Sequence, residues 1–197
     1  MVDPGAEASR LVGLALEAVG RTGASEVLVA CTHGHLDHVA AAPAVMEALR
    51  ARGLAVRLFA HEADHDYFGE AAERTNRDVF SGIGAMGYFR KFWRPIPEPD
   101  VLFGDGYVLP GTDLAVVHTP GHTRGSCCLV AEGGADLISG DTLFLDGRGR
   151  TDNFDSDEVA LLASIRDRLC TMDDAVRVWP GHGDPTTMGR EKRYYLP

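Results

Sequence analysis

The sequence predicts an α/β protein built as one domain, and three observations carry that expectation. Short apolar runs alternate with segments of helical spacing along the chain. Every cluster of chemistry-bearing residues stands at the end of such a run, where layered α/β proteins place their sites. A chain of 197 residues buries roughly 70% of the surface its unfolded form exposes, enough for one core and a preorganised site without disulfides.

Taken in order, Leu11, Val12, Ala15, Leu16 and Val19 recur at helical spacing and predict an amphipathic helix over about residues 6–19, stopped by Gly20 and Gly23. Val27 to Cys31 is a continuous apolar run of the buried-strand kind. Pro43 suits the first turn of the next helix, and Gly53 follows its last periodic residues. Val56 to Ala60 reads as a second buried strand. Further strands are expected at Leu114 to His118, Cys127 to Ala131, Leu137 to Ser139 and Val176 to Trp179, with a turn at Gly104-Asp105-Gly106.

Between about residues 65 and 100 the pattern changes to an aromatic-rich helical insertion, which holds seven of the fifteen aromatic residues. Such density predicts a cover over a binding cleft, with Tyr88, Phe89 and Phe92 as its substrate wall and Gly82, Gly84 and Gly87 as bends.

Nineteen basic against 29 acidic side chains give a formal charge of −10. That balance argues against nucleic-acid binding, which rests on a basic face. No apolar stretch approaches the ~20 residues that cross a bilayer, so no membrane role is expected. Met1 to Gly5 has neither a basic nor an apolar leader region, which makes the cytoplasm the expected compartment. The four cysteines show no Cys-x-x-Cys spacing and read as reduced packing residues. Self-association is left open.

Of eight histidines, His33, His35 and His38 fall within six positions, with Asp37 between the last two. At a period of two, His33 and His35 face the same way in an extended loop and reach one ion, while Asp37 and His38 bend toward another. His122, Asp141 and His182 each follow a short apolar run, in Thr119-Pro120-Gly121-His122-Thr123, Ser139-Gly140-Asp141-Thr142 and Trp179-Pro180-Gly181-His182-Gly183. Imidazoles and carboxylates suit zinc, and also iron or manganese.

These motifs resemble the metallo-β-lactamase superfamily, and within it the glyoxalase II-like (hydroxyacylglutathione hydrolase-like) hydrolases of the short bacterial type. Val2-Asp3-Pro4-Gly5, Gly149-Arg150-Thr151-Asp152 and Gly189-Arg190-Glu191-Lys192-Arg193 extend the resemblance over nearly the whole chain. It implies a four-layered αβ/βα sandwich, here beginning without the family's first strands. It implies two divalent metal ions, one held by His33, His35 and His122, the other by Asp37, His38 and His182, with Asp141 bridging. Asp37 and Asp141 become the catalytic carboxylates, and Asp3 braces the histidine loop from behind.

A bridging hydroxide generated at neutral pH would then attack a polarised carbonyl. A thiol departs without obligatory protonation, which makes a small acyl thioester, such as a hydroxyacylglutathione, an economical substrate. Lactone hydrolysis and single-iron persulfide oxygenation are the alternatives within the superfamily. Longer glyoxalase II enzymes carry Lys-Phe-Tyr where Arg150-Thr151-Asp152 stands, so Arg150 is the expected cationic substrate contact. Arg190, Lys192 and Arg193 read as a solvated basic cluster. His61 and His65 lie outside the motifs and are expected at the surface or behind the ligands, and His118 as a buried hydrogen-bonded residue.

Overall fold

A computed structural model describes residues 1–131 and 133–196. The chain divides into two compact units, one comprising Met1–Ala60 and His65–Leu102, the other His61–Asp64 with the chain from Phe103 onward.

In the first unit, Met1 to Asp3 run beside a strand, β1 (Glu26–Ala30), and bond to it in parallel: Ala30 N–H donates to the Met1 carbonyl and Asp3 N–H to the Ala30 carbonyl, both at 3.0 Å. Helix α1 spans Ala8–Thr22. It runs through Gly20, because an interior glycine only weakens a helix, and stops at Gly23, whose φ of 70° is left-handed. After β1, Leu36–Val39 forms a single helical turn, α2, where the sequence predicts only loop. Helix α3 (Ala42–Arg50) begins with Pro43 in its first turn, as expected.

Strand β2 (Ala55–His61) pairs in parallel with β1 and lies between it and β3 (Val101–Phe103) in a three-stranded sheet. Helices α4 (Ala72–Gly82) and α5 (Met86–Phe92) make up the aromatic-rich stretch, and Gly84, at φ 71°, breaks the chain between them. Their inner faces belong to the core: Phe80 and Phe89 join Val29, Leu36, Leu49 and Leu58 in one apolar cluster. Phe89 is only 4% exposed, which corrects its expected place in a substrate wall. Helical spacing puts it on the inward face, and aromatic density alone does not tell a wall from a core.

The second unit is built on a five-stranded sheet of order β10-β9-β6-β5-β4. Its strands are β4 (Leu114–His118), β5 (Cys127–Ala131), β6 (Asp136–Gly140), β9 (Arg177–Pro180) and β10 (Thr186–Thr187), with a ribbon of β7 (Leu143–Phe144) and β8 (Gly147–Arg148). Helix α6 (Glu158–Ala163) starts at Asp157, whose carboxylate accepts the Ala160 N–H at 2.9 Å, and α7 (Met188–Glu191) follows β10. Because β4 and β6 both run antiparallel to β5, and β9 runs parallel to β6, strands β4, β6 and β9 share one direction. The loops after all three leave the sheet at the same edge. All four cysteines are buried, and no helix is long and apolar enough to cross a membrane among the described residues.

Candidate metal centre

In the first unit the candidate ligands occupy the loop after β1 and the turn of α2. His33, His35 and His38 are all buried, and the His33 ring lies 4.8 Å from that of His35 and 4.1 Å from that of His38. The brace behind them is Asp3. Its Oδ1 accepts the Thr32 N–H at 2.7 Å, and its Oδ2 accepts the Thr32 hydroxyl at 2.6 Å and His38 Nδ1–H at 3.0 Å. A hydroxyl has one proton, so Thr32 Oγ1, having donated to Asp3, accepts from His33 Nδ1–H at 3.2 Å. One carboxylate thereby sets two rings in the tautomer whose Nε2 carries the lone pair.

Asp37 Oδ2 lies 3.9 Å from His38 Nε2. Gly5 sits where any Cβ would fall 1.7 Å from the Asp37 carbonyl oxygen, so the Asp3-Pro4-Gly5 turn packs against the ligand loop only with a glycine there. Tyr67, 2% exposed, sets its hydroxyl 3.4 Å from His35 Nε2.

In the second unit His122, Asp141 and His182 follow β4, β6 and β9 at the common edge. His122 Nδ1–H donates to the Arg150 carbonyl at 2.8 Å, leaving its Nε2 with the lone pair. A single oxygen, Asp141 Oδ2, stands 3.6 Å from His122 Nε2 and 3.7 Å from His182 Nε2. These gaps are too long for hydrogen bonds. They match two atoms bound to one ion, since bonds of about 2.1 Å at a tetrahedral angle separate ligand atoms by roughly 3.4 Å. The donor set therefore fits divalent metal, with Asp141 Oδ2 placed to serve both rings. His182 is the most exposed of the three, at 55% of its side chain. Gly149 is the counterpart of Gly5, because a Cβ there would lie 1.9 Å from the Asp141 carbonyl oxygen.

The expected substrate contacts divide. The Arg150 guanidinium is engaged by Asp152 in a two-bond fork at 2.6 and 2.7 Å, so its cation is already matched, while its carbonyl orients His122. Arg190 forms a similar fork with Asp146, and Lys192 pairs with Asp174, so the basic cluster is ion-paired rather than merely solvated. Tyr88 and Phe92 are half-buried with rings 4.4 Å apart. Burial and then the Asp37 carboxylate push the Tyr88 phenol above its ordinary range.

His65 is exposed as expected and meets Glu98 at 3.1 Å. His61 is 4% exposed and buried, not superficial. Tyr67 and Asp64 are the residues that sequence reasoning passed over. The signal for Asp64 was its position just past the apolar run Val56 to Ala60, the same rule that flags the other candidates.

The family model described as the metallo-beta-lactamase superfamily matches residues 1–182. A hydroxyacylglutathione hydrolase, GloC, of Haemophilus influenzae is 33% identical over 98% of this chain and 84% of its own. Among solved structures, the B3 metallo-beta-lactamase BLEG-1 superposes with a TM-score of 0.77 at 27% identity, covering 100% of this chain and 88% of that one. A di-iron-bound form of TTHA1623 gives 0.72 at 31% identity, covering 98% and 85%.

Proposed function

The chain belongs to the metallo-beta-lactamase superfamily, a family mostly of metal-dependent hydrolases, and we propose that it hydrolyses small acyl thioesters of the hydroxyacylglutathione kind with two divalent ions. On this reading His33, His35 and His122 would hold one ion and Asp37, His38 and His182 the other, with the Asp141 carboxylate available to both. The observation that carries it is the single Asp141 oxygen at 3.6 and 3.7 Å from two imidazole nitrogens. When bound, such ions supply hydroxide at neutral pH and polarise a carbonyl.

The chain's own residues do the rest. Asp3 holds a proton at His38 Nδ1 and, through Thr32, one at His33 Nδ1. The Arg150 carbonyl does the same at His122 Nδ1. All three Nε2 lone pairs are thus fixed before any ligand arrives, so little reorganisation remains. Tyr88 and Phe92 offer a half-buried aromatic edge for the acyl group. Support for the thioester comes from the Haemophilus influenzae hydroxyacylglutathione hydrolase and from the ease with which a thiolate leaves. Zinc leads on the chemistry of the donor set; the di-iron form of TTHA1623 makes iron the next metal to assay.

The test is a panel of a hydroxyacylglutathione, a lactone and glutathione persulfide, offered to protein loaded separately with zinc, iron and manganese. Release of free thiol from the thioester is expected. Lactone opening without thioester cleavage, or oxygen uptake with the persulfide, would replace this substrate assignment.

A further inference from the structure

The tetrapeptide His61–Asp64 begins with the last residue of β2 but belongs to the second unit. There it grips the segment that carries His122 on both flanks. Upstream, the His61 ring stacks on His118 with centroids 4.0 Å apart and planes 16° apart, and His118 Nε2–H donates to the Arg124 carbonyl at 2.9 Å. Downstream, the carboxylate of Asp64, 1% exposed, accepts the Thr123 hydroxyl at 2.8 Å on one oxygen and the Gly125 N–H at 2.6 Å on the other. Ser126 Oγ closes the turn by accepting the Thr123 N–H at 2.9 Å. The fit leaves no slack: a Cβ at Gly125 would lie 2.6 Å from the Asp64 carboxyl carbon.

Burying a carboxylate costs several kcal/mol unless hydrogen bonds compensate it. Packing alone does not call for a charge in the wall of this turn. The turn that carries His122 does gain from two short, charge-assisted bonds, one to the residue that follows it and one to Gly125.

We propose that Asp64 is a positioning residue for His122, fixing the 123–126 turn so that the His122 ring is presented in ligating geometry. Asp64 touches no reacting atom and acts through the Thr123 hydroxyl and the Gly125 N–H. The inference rests on His122 being a metal ligand.

Zinc ion alone is the probe, titrated against a chromophoric chelator into the wild type, His122→Ala, Asp64→Ala, Asp64→Asn and Thr123→Val. In Asp64→Ala one of two zinc affinities is expected to fall about 10- to 100-fold while the other holds. Asparagine keeps an acceptor and should recover part of the loss at that one site, whereas a mere loss of stability would lower both affinities together. If Asp64→Ala does not fold, Thr123→Val decides, since it deletes one of the two bonds and leaves the carboxylate in place. Wild-type zinc affinity in the folded variants, beside a lost site in His122→Ala, overturns the positioning role and leaves the metal reading standing. A wild type that binds no zinc, iron or manganese overturns the metal reading and this inference with it.

Discussion

In the first unit four candidate ligands occupy the six residues from His33 to His38, whereas in the second His122, Asp141 and His182 come from three separate strand ends. The first set is a local feature, one loop and one helical turn, and it needs an outside brace, which Asp3 supplies with three hydrogen bonds. The second set is a product of sheet order. Three strands running the same way deliver three side chains to one edge, and the braces are the Arg150 carbonyl behind His122 and Asp64 beneath its turn. A site made by sequence spacing fails when its brace is cut, and one made by topology fails when a strand end or its turn is disturbed.

The largest effect separating the two halves is expected from their ligands. His33→Ala and His122→Ala should each lower metal content and abolish thioester hydrolysis, because too few donors remain to hold an ion. Inductively coupled plasma mass spectrometry on protein purified without added metal measures this; two full equivalents in both variants would break the comparison.

Next in size is the aromatic stretch of the first unit. Phe89→Ala should cost about 3–5 kcal/mol of stability, since it empties a buried core position. Tyr88→Ala and Phe92→Ala should instead raise KM for an acyl thioester with little change in Tm. Thermal melts and steady-state kinetics on the three variants separate core from wall.

Cutting the brace comes third. Asp3→Ala should weaken metal binding about 10- to 100-fold with every ligand still present, by releasing both the His33 and His38 tautomers. Chelator competition reads the loss, and an unchanged affinity would show that the loop holds its own geometry.

The smallest effect is acid sensitivity at His61, whose imidazole is pushed down to about 4, first by burial and then by His118, with Asp105 opposing. The unfolded chain takes up the proton near its ordinary pKa and the folded one only near 4. Stability from this group is therefore intact above about pH 6.5 and declines as pH falls toward 4, by on the order of 1 kcal/mol at pH 5.5. His61→Phe should flatten that part of the Tm profile relative to the wild type; an identical slope would remove His61 from the account.

How much of this was legible in the sequence follows the same division. The histidine spacing and the strands before His122 and Asp141 could be read because each is a local pattern, whereas the Asp3 brace, whose partners Thr32 and His38 are distant in sequence, came from the family resemblance. Strand Leu114–His118 falls where the apolar run predicts it. Phe89 was misplaced because density of aromatic residues carries no direction, and the inward face emerges only when α4 and α5 pack on β1 and α3. The one-turn helix at Leu36–Val39 is too short for periodicity to register. Asp64 was missed for a different reason. Its partners, Thr123 and Gly125, lie some sixty residues on in the sequence, and its place after the apolar run Val56 to Ala60 marks a candidate without saying which turn it serves. Arg150 was legible as a cation but not as one already engaged by Asp152.

On the proposed two-ion hydrolysis, metal retention and turnover both depend on Asp141. The most direct measurement pairs metal stoichiometry with thioester hydrolysis in the wild type and in Asp141→Asn. The expected result is two equivalents of divalent metal and steady thiol release in the wild type, with metal and hydrolysis lost together in the variant. Undiminished hydrolysis by Asp141→Asn, or by wild type stripped of metal, would contradict it.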